Sequence, residues 1–514
     1  MAAIQERLLS LASLFGTYSQ AIMMLSSTIT LAIILAVLSA VLLTRRHKRL
    51  RDLPPGPPGW PILGNLFDLP KEYPWIVYSN WSKTYGDIIF LRTVSTPMLI
   101  VSSSDIAFDL MDKRSAIYSS KEASVMDKMT GWEFNLGLMP YGQRWRNIRR
   151  KVHEHFNRMV TPKYHDKQTK HIQAFLRRCL TETGRQFNPS LMRQLVATTI
   201  LDVVYGIEIE SMDDDYIKIV VEALEVLGET RKPGKYWADF IPLLQYVPQW
   251  VPGASSVKFA AQSRPIVEEM VNKPFDAVRN EKNPNDCTVS ALLAKIAPQP
   301  DIGRRAEEEV HARHAAGVVY AAASETTFSL LQTFFCGMAL NPGLQQRARN
   351  ELDSVAVFLE CIRWMPAAPL GAPHSLSQDD YSNGYFIPSD TIIVPNVWHM
   401  LHNPEDYPEP DMFNPDRFMK NGGLNPVVRD PTTIAFGFGR RICPGRHFAK
   451  DSAFLVFASM LHVFDIMPSI DEGGGELDPT PELKGSIIAF PTPLNFRGKP
   501  RSEAAERLIR TTGM

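Results

Sequence analysis

The chain has 514 residues, with 55 basic and 55 acidic side chains in balance. That balance gives no electrostatic footprint for nucleic acid or for another strongly charged partner. Its five cysteines (Cys179, Cys287, Cys336, Cys361 and Cys443) are scattered without a CxxC pair, which excludes a disulfide framework and a structural zinc site.

Residues 1–20 read as a lumenal tail. "AIMMLSSTITLAIILAVLSAVLL", residues 21–43, carries no charge and is long enough to cross a bilayer as a helix. Arg45, Arg46, Lys48, Arg49 and Arg51 follow it. A cleaved signal peptide has a shorter apolar region with its positive charge in front. The order here predicts a retained single-pass anchor held by membrane lipid, with everything after it on the cytosolic side. Residues 44–64 are a basic and proline-rich linker; prolines 54, 55, 57, 58 and 61 fix φ and predict a stiff, extended spacer. A body at 65–505 and a tail at 506–514 complete the division.

Within the body, "DIIFLR" (87–92), "PMLIVSS" (97–103) and "TIIVPN" (391–396) read as strands. Helical periodicity dominates the middle, and its longest run, about Ala306 to Leu340, ends at "NPG". The expected fold class is mainly α, a large helical domain with small peripheral sheets.

Five stretches carry chemistry. In "YGQRWRNIRRK" (141–151), Trp145 and Arg149 stand four apart, on one side of a helix. "AAASETT" (321–327) places Glu325 and Thr326 on the longest helix, after small residues. Glu360 and Arg363 of "FLECIRW" can pair along a helix, and Arg417 follows in "FNPDRF". Alone, such a pair is a surface contact worth little. "FGFGRRICPG" (436–445) surrounds Cys443 with glycines and arginines. Gly437, Gly439 and Gly445 allow a tight turn that aims amides at the sulfur, Phe436 can cover it, and Arg441 offers a fork to an anion. One cysteine is too few for zinc or an iron–sulfur cluster, but it suits haem, which brings four nitrogens of its own.

In these motifs and their order the chain resembles the cytochrome P450 family, over roughly residues 50 to 500. "FGFGRRICPG" matches the family's F-x-x-G-x-R-x-C-x-G at every fixed position, and "AAASETT" resembles (A/G)-G-x-(D/E)-T-T with Ala323 in place of glycine. The resemblance implies haem b with Cys443 as axial ligand, and Phe436 and Gly439 in its loop. It places Trp145, Arg149, Arg441 and, by position, His374 on the propionates. Glu325 and Thr326 would deliver protons, while Glu360, Arg363 and Arg417 brace the pocket. The implied reaction inserts one oxygen atom from dioxygen into a lipophilic substrate by hydroxylation or epoxidation. The chain shows neither a nicotinamide fingerprint nor a flavin region, so NADPH would act through a separate NADPH–cytochrome P450 reductase. Arg440 and Lys450 are candidate docking charges.

Details of "MTGWEFNLGLMPYGQRW" and "APLGAPH" are similar to the filamentous-fungal, especially basidiomycete, branch. That branch serves secondary metabolism and the oxidation of foreign aromatics such as polycyclic hydrocarbons. Its members imply a location at the endoplasmic reticulum, with the catalytic domain facing the cytosol. Pocket walls are expected from 129–139, 318–323, 367–372 and 485–490.

Against the family, about twenty residues are lacking between "RNELDSV" (349–355) and "FLECIRW" (358–364). We read this as a lost or mis-spliced exon that threatens the position of Glu360 and Arg363. Two other readings stay open at this point. One is a haem-thiolate isomerase or dehydratase needing no reductase, which the Glu325–Thr326 pair opposes. The other is a non-catalytic membrane haem-binding protein.

Overall fold

The computed structural model describes residues 52–93, 96–181, 187–209, 211, 213–232, 234–349, 351–485 and 487–512. The expected anchor at 21–43, its lumenal tail and the basic residues up to 51 lie outside the described residues. Among the described residues no helix is long and apolar enough to cross a membrane. By its contacts the chain divides into a small unit, in which 379–387 joins the segment ending at Pro54, and a large one holding the rest. In the small unit, Asp380–Ser382 pairs antiparallel with Tyr385–Ile387, and the Phe386 amide donates to the Asp52 carbonyl at 2.7 Å.

The large unit is built mainly from helices, of which nine matter below: α1 (Gln143–Phe156), α2 (His165–Thr181), α3 (Pro189–Tyr205), α4 (Asp215–Thr230), α5 (Ser255–Asn280), α6 (Ile302–Leu340), α7 (Glu351–Trp364), α8 (Arg446–Val463) and α9 (Glu503–Thr511). Helix α6 has 39 residues and so runs about 58 Å. It begins one turn before the expected Ala306, because Asp301 caps it by accepting the Arg304 amide at 3.0 Å. It stops at Asn341, where Pro342 opens a separate turn.

Around α6 lies a core drawn from α1 (Ile148, Val152), α3 (Ile200, Val204), α4 (Val220) and α5 (Met270, Phe275). On its later turns Phe334 stacks on Phe457 of α8 with centroids 4.0 Å apart. Burying such a ring stabilises the fold by roughly 1.5–3 kcal/mol.

The predicted strand runs form part of one sheet. In it β1 (Ile88–Arg92), β2 (Pro97–Val101), β3 (His374–Ser375) and β4 (Ile392–Pro395) stand in the order β1–β2–β4–β3. The β2–β4 pairing is parallel and the other two are antiparallel. Later in the chain β5 (Phe464–Pro468) pairs with β8 (Phe496–Pro500), and β6 (Glu482–Gly485) with β7 (Ala489–Thr492).

Two expectations are corrected. From Pro55 onward the proline-rich stretch does not stand free as a spacer, because it lies against β1. The Phe90 amide donates to Pro55, the Asn65 amide to Arg92, and Asn65 Nδ2 to Pro57. β1 is an edge strand with unpaired backbone groups, and this strap satisfies them. Gly64, at φ +59°, makes the approach possible, since a Cβ there would meet the Arg92 carbonyl oxygen at 1.7 Å. The expected tail at 506–514 is mostly helix α9. Ser502 caps it, Ile509 is buried, and Arg177 of α2 donates to the Thr512 carbonyl just past its end.

The shortening between Val355 and Phe358 falls within α7, which runs through it as one helix, and it does not displace Glu360 and Arg363. Both are fully buried, and Arg363 Nε and Nη2 each donate to the Glu360 carboxylate at 2.8 Å. Arg417 Nε adds a contact at 3.2 Å and the Asn414 amide one at 2.8 Å. The remaining Arg363 donors reach the carbonyls of Leu401, Pro410 and Met412. This register is set by the contacts that Glu360 and Arg363 make with residues 401–417. Glu360→Gln keeps the volume and leaves two arginines without their counter-charge. It should cost about 3–5 kcal/mol of stability, read as a lowered guanidinium chloride midpoint; an unchanged midpoint would contradict the bracing role.

Candidate active site

The loop 436–445 is a tight turn closed on itself. Gly437 and Gly439 have φ of +80° and +51°, and the Cys443 amide donates to the Phe436 carbonyl at 2.8 Å. At Gly439 a Cβ would sit 2.1 Å from the Met111 carbonyl oxygen, so only glycine lets this loop pack there. Helix α8 begins at Arg446, directly after the loop. Cys443 is partly buried at that helix's N-terminal end. Burial raises its thiol pKa, while the amides of Gly445 and Arg446 and the guanidiniums of Arg149 and Arg446 oppose the rise. The balance describes a sulfur supplied with donors and cations suited to an anion.

Positive charge gathers beside this loop without acid to match. Arg149 Nη2 donates to the Ile442 carbonyl at 2.6 Å. Arg441 reaches the carbonyls of Ser119, Leu136 and Met139 at 2.5, 3.0 and 2.8 Å. One N–H on each terminal nitrogen stays available. The Trp145 ring lies near both guanidiniums, 4.4 Å from that of Arg441 and 5.2 Å from that of Arg149. Its buried Nε1 has no hydrogen-bond partner. Burial and the Arg149 charge push Arg441 down to about 9.

Lys121, which the sequence did not single out, joins them. It is buried, donates to the carbonyls of Ala372 and Pro373 at 2.6 and 2.9 Å, and is pushed well below the usual lysine range by burial, Arg441 and Arg231. No carboxylate lies within ion-pair distance of Lys121, Arg149 or Arg441 among the described residues. His374 is buried and contacts the Tyr118 carbonyl through Nδ1 at 2.7 Å. Burial and Lys121 hold it neutral, so Nε2 becomes a donor only on protonation.

Helix α6 is buried on most faces but leaves an open stripe: Val319, Ala322, Ala323 and Thr326, spaced three and four apart. Thr326 Oγ1 donates to the Ala322 carbonyl at 2.7 Å. Glu325 does not share that stripe; it is buried and paired with Arg193 of α3. Two expected wall segments meet α6, and a third is tied to one of them. Phe134 stacks on His314 at 5.7 Å. Ser329 Oγ donates to the Ala489 carbonyl at 2.6 Å, and the Ala489 amide to Ala367 at 2.9 Å. Phe490 packs on Phe328. Arg440 and Lys450 are exposed, with Arg440 lying 5.5 Å over the Tyr141 ring.

These donors fit one group: a flat, apolar macrocycle carrying two carboxylates and a metal that accepts a thiolate. Lone Trp145 Nε1 and three cations without acids supply what the carboxylates need. The open stripe of small side chains supplies what a flat ring and a small gas need.

Comparison with known proteins agrees. The family description Cytochrome P450 matches residues 54–357 and 355–489, in two pieces that meet where the chain is shortened. The chain is 37% identical to cytochrome P450 monooxygenase COX2 of Coprinopsis cinerea, over 91% of this chain and 92% of that one. It is 36% identical to cytochrome P450 monooxygenase ple1 of Rhodocybe pseudopiperita, over 93% and 95%. To the tryptamine 4-monooxygenase of Psilocybe cyanescens it is 33% identical, over 89% and 95%. The chain therefore belongs to the cytochrome P450 family, is similar to its basidiomycete members, and is an oxidoreductase of the monooxygenase class.

Proposed function

We propose that this chain binds haem b through Cys443 and inserts one oxygen atom from dioxygen into a lipophilic substrate, by hydroxylation or epoxidation. The cluster of cations without acids beside the cysteine loop carries this reading. Arg441, Arg149, Lys121 and Trp145 Nε1 would hold the haem carboxylates, joined by His374 when it is protonated. Bound there, a thiolate-ligated haem supplies dioxygen activation, the thiolate favouring O–O cleavage.

The chain's own residues do the rest. Phe436 and the glycine turn keep water from the sulfur, and the Gly445 and Arg446 amides hold its charge. Ala322 and Ala323, small side chains on the open stripe, would leave room for the bound group and a small gas. Thr326 holds a hydroxyl proton against the Ala322 carbonyl and can exchange it with a guest in the stripe, resupplied from Glu325. Glu360 with its two arginines fixes the frame and takes no part in the chemistry.

Electrons come from NADPH through a reductase, which meets the exposed Arg440 and Lys450. The segment at 21–43 anchors the chain in the endoplasmic reticulum with this domain in the cytosol. Apolar and aromatic walls from Phe134, Val319, Ala367 and Phe490 select a lipophilic, aromatic guest. The relative named for tryptamine fits that choice. Secondary metabolism, or oxidation of foreign aromatics such as polycyclic hydrocarbons, is the role this pocket serves.

Cys443→Ser should abolish the carbon monoxide difference band of the reduced protein together with NADPH-dependent product formation. A Soret band indifferent to the change would refute the assignment. Lys121→Met removes one charged hydrogen-bond donor worth about 1.5–3 kcal/mol. It should weaken haem affinity roughly ten- to hundredfold, measured by haem transfer to apomyoglobin. Thr326→Val should lower product formed per NADPH about a hundredfold while leaving haem content unchanged, as read by product and NADPH assays on one sample.

A further inference from the structure

Helices α2, α3, α6 and α8 close around a small cavity. Thr327 and Leu331 of α6, four apart on one helix face, border it together with Phe448 and Ser452 of α8, Gln168 of α2 and Thr199 of α3. It has room for about one water molecule, and no charged side chain lines it. Gln168, 1% exposed, is its most demanding neighbour. The amide Nε2 donates to Ser452 Oγ at 2.7 Å, but the buried Oε1 has no hydrogen-bond partner. Turning the amide over would only exchange the two ends, because Ser452 can meet one of them at a time. An unmet acceptor in the interior destabilises a fold by more than an ordinary hydrogen bond contributes. The hydroxyls around the cavity can complete a set. Ser452 Oγ accepts from Gln168, which leaves its own proton to donate. Thr199 Oγ1 gives its proton to the Leu195 carbonyl at 2.7 Å and keeps a lone pair to accept. Thr327 adds a third hydroxyl, from α6.

We propose that this cavity is a binding site for a single water molecule, held by Gln168, Ser452 and Thr327, and that the water ties α8 to α2 and α6. Water matches the site in size and in chemistry: it donates to Gln168 Oε1 and accepts from Ser452 Oγ. Its second proton goes to the hydroxyl oxygen of Thr327 or Thr199, which brings it to the roughly three bonds usual for a buried water. An apolar gas would leave the Gln168 acceptor unmet, and an ion would find no counter-charge in the lining. The tie matters because α8 starts at Arg446, directly behind the cysteine loop, and Ser452 stands in its second turn. Held there, the helix keeps the amides of Gly445 and Arg446 trained on Cys443. The water itself takes no part in the proposed reaction.

The test uses the full-length holoenzyme in lipid nanodiscs. Brief X-ray irradiation splits water into hydroxyl radicals where it stands, and mass spectrometry reads which side chains they oxidise. Phe448 and Leu331 are 5% and 1% exposed, so bulk water does not reach them and their oxidation reports a water bound beside them. Phe175 and Leu201, similarly buried but outside the cavity lining, are the comparators. Phe448 and Leu331 should be oxidised severalfold more than the comparators in the wild type, and no more than them in Gln168→Leu. Thr327→Val removes one partner of the water and leaves the Gln168–Ser452 bond in place. It should lower the same oxidation and speed amide deuterium exchange in the first turns of α8, and it serves alone if Gln168→Leu does not fold.

Wild-type oxidation at the level of the comparators would overturn the site. Oxidation that persists unchanged in either variant would remove that residue from it and overturn the assignment. Oxidation lost in Thr327→Val with α8 exchange unchanged would leave a bound water but refute the tie.

Discussion

A carboxylate with no exposure to water and two guanidiniums closed around it is an expensive arrangement for a fold to keep. Glu360 survives in the interior only because every lone pair is used: by Arg363 twice, by Arg417, and by the Asn414 amide. The spare donors of the arginines then tie down carbonyls at 401, 408, 410 and 412. Through these bonds α7 and the segment leading to the cysteine loop become one piece. The loop's own glycine turn shapes the sulfur's surroundings, but its place in the molecule depends on this network. That dependence explains why a chain shortened within α7 can still present the cysteine.

A second constraint acts at the loop itself. Three buried or half-buried cations and an unpartnered indole N–H converge without an acid, which no fold would assemble for its own stability. Such a cluster is understood only as one half of a recognition surface whose other half is anionic. The charged groups of α6 obey the opposite rule: Glu325 lies in the interior and its counter-charge comes from a neighbouring helix. The two faces of one helix are thus specialised, an open stripe of small residues on one and an ion pair on the other.

Much of this was legible in the sequence where the signal was local. The cysteine loop, the Glu360–Arg363 spacing and the Trp145–Arg149 spacing lie within single turns, and their residue types declare their chemistry. The strands at 88–92, 97–101 and 392–395 announced themselves through β-branched runs, though not their mixed parallel and antiparallel order. What stayed hidden was set by distant partners. Lys121 finds its carbonyls 251 and 252 positions away, and Arg193 its acid 132 away; nothing in "YSSKEAS" or "SLMRQLV" marks either residue. Composition also misled at the edges, since the prolines hid how closely 55–65 follows β1, and the polar "EAAERLIRT" hid a docked helix.

The hydrogen bond from Ser329 to the carbonyl of Ala489 has a wider meaning. It fastens a strand of the back wall to the long helix at a point that no guest can touch. Ser329 is fully buried, so removing its hydroxyl would leave the Ala489 carbonyl without this donor and loosen the tie between strand and helix.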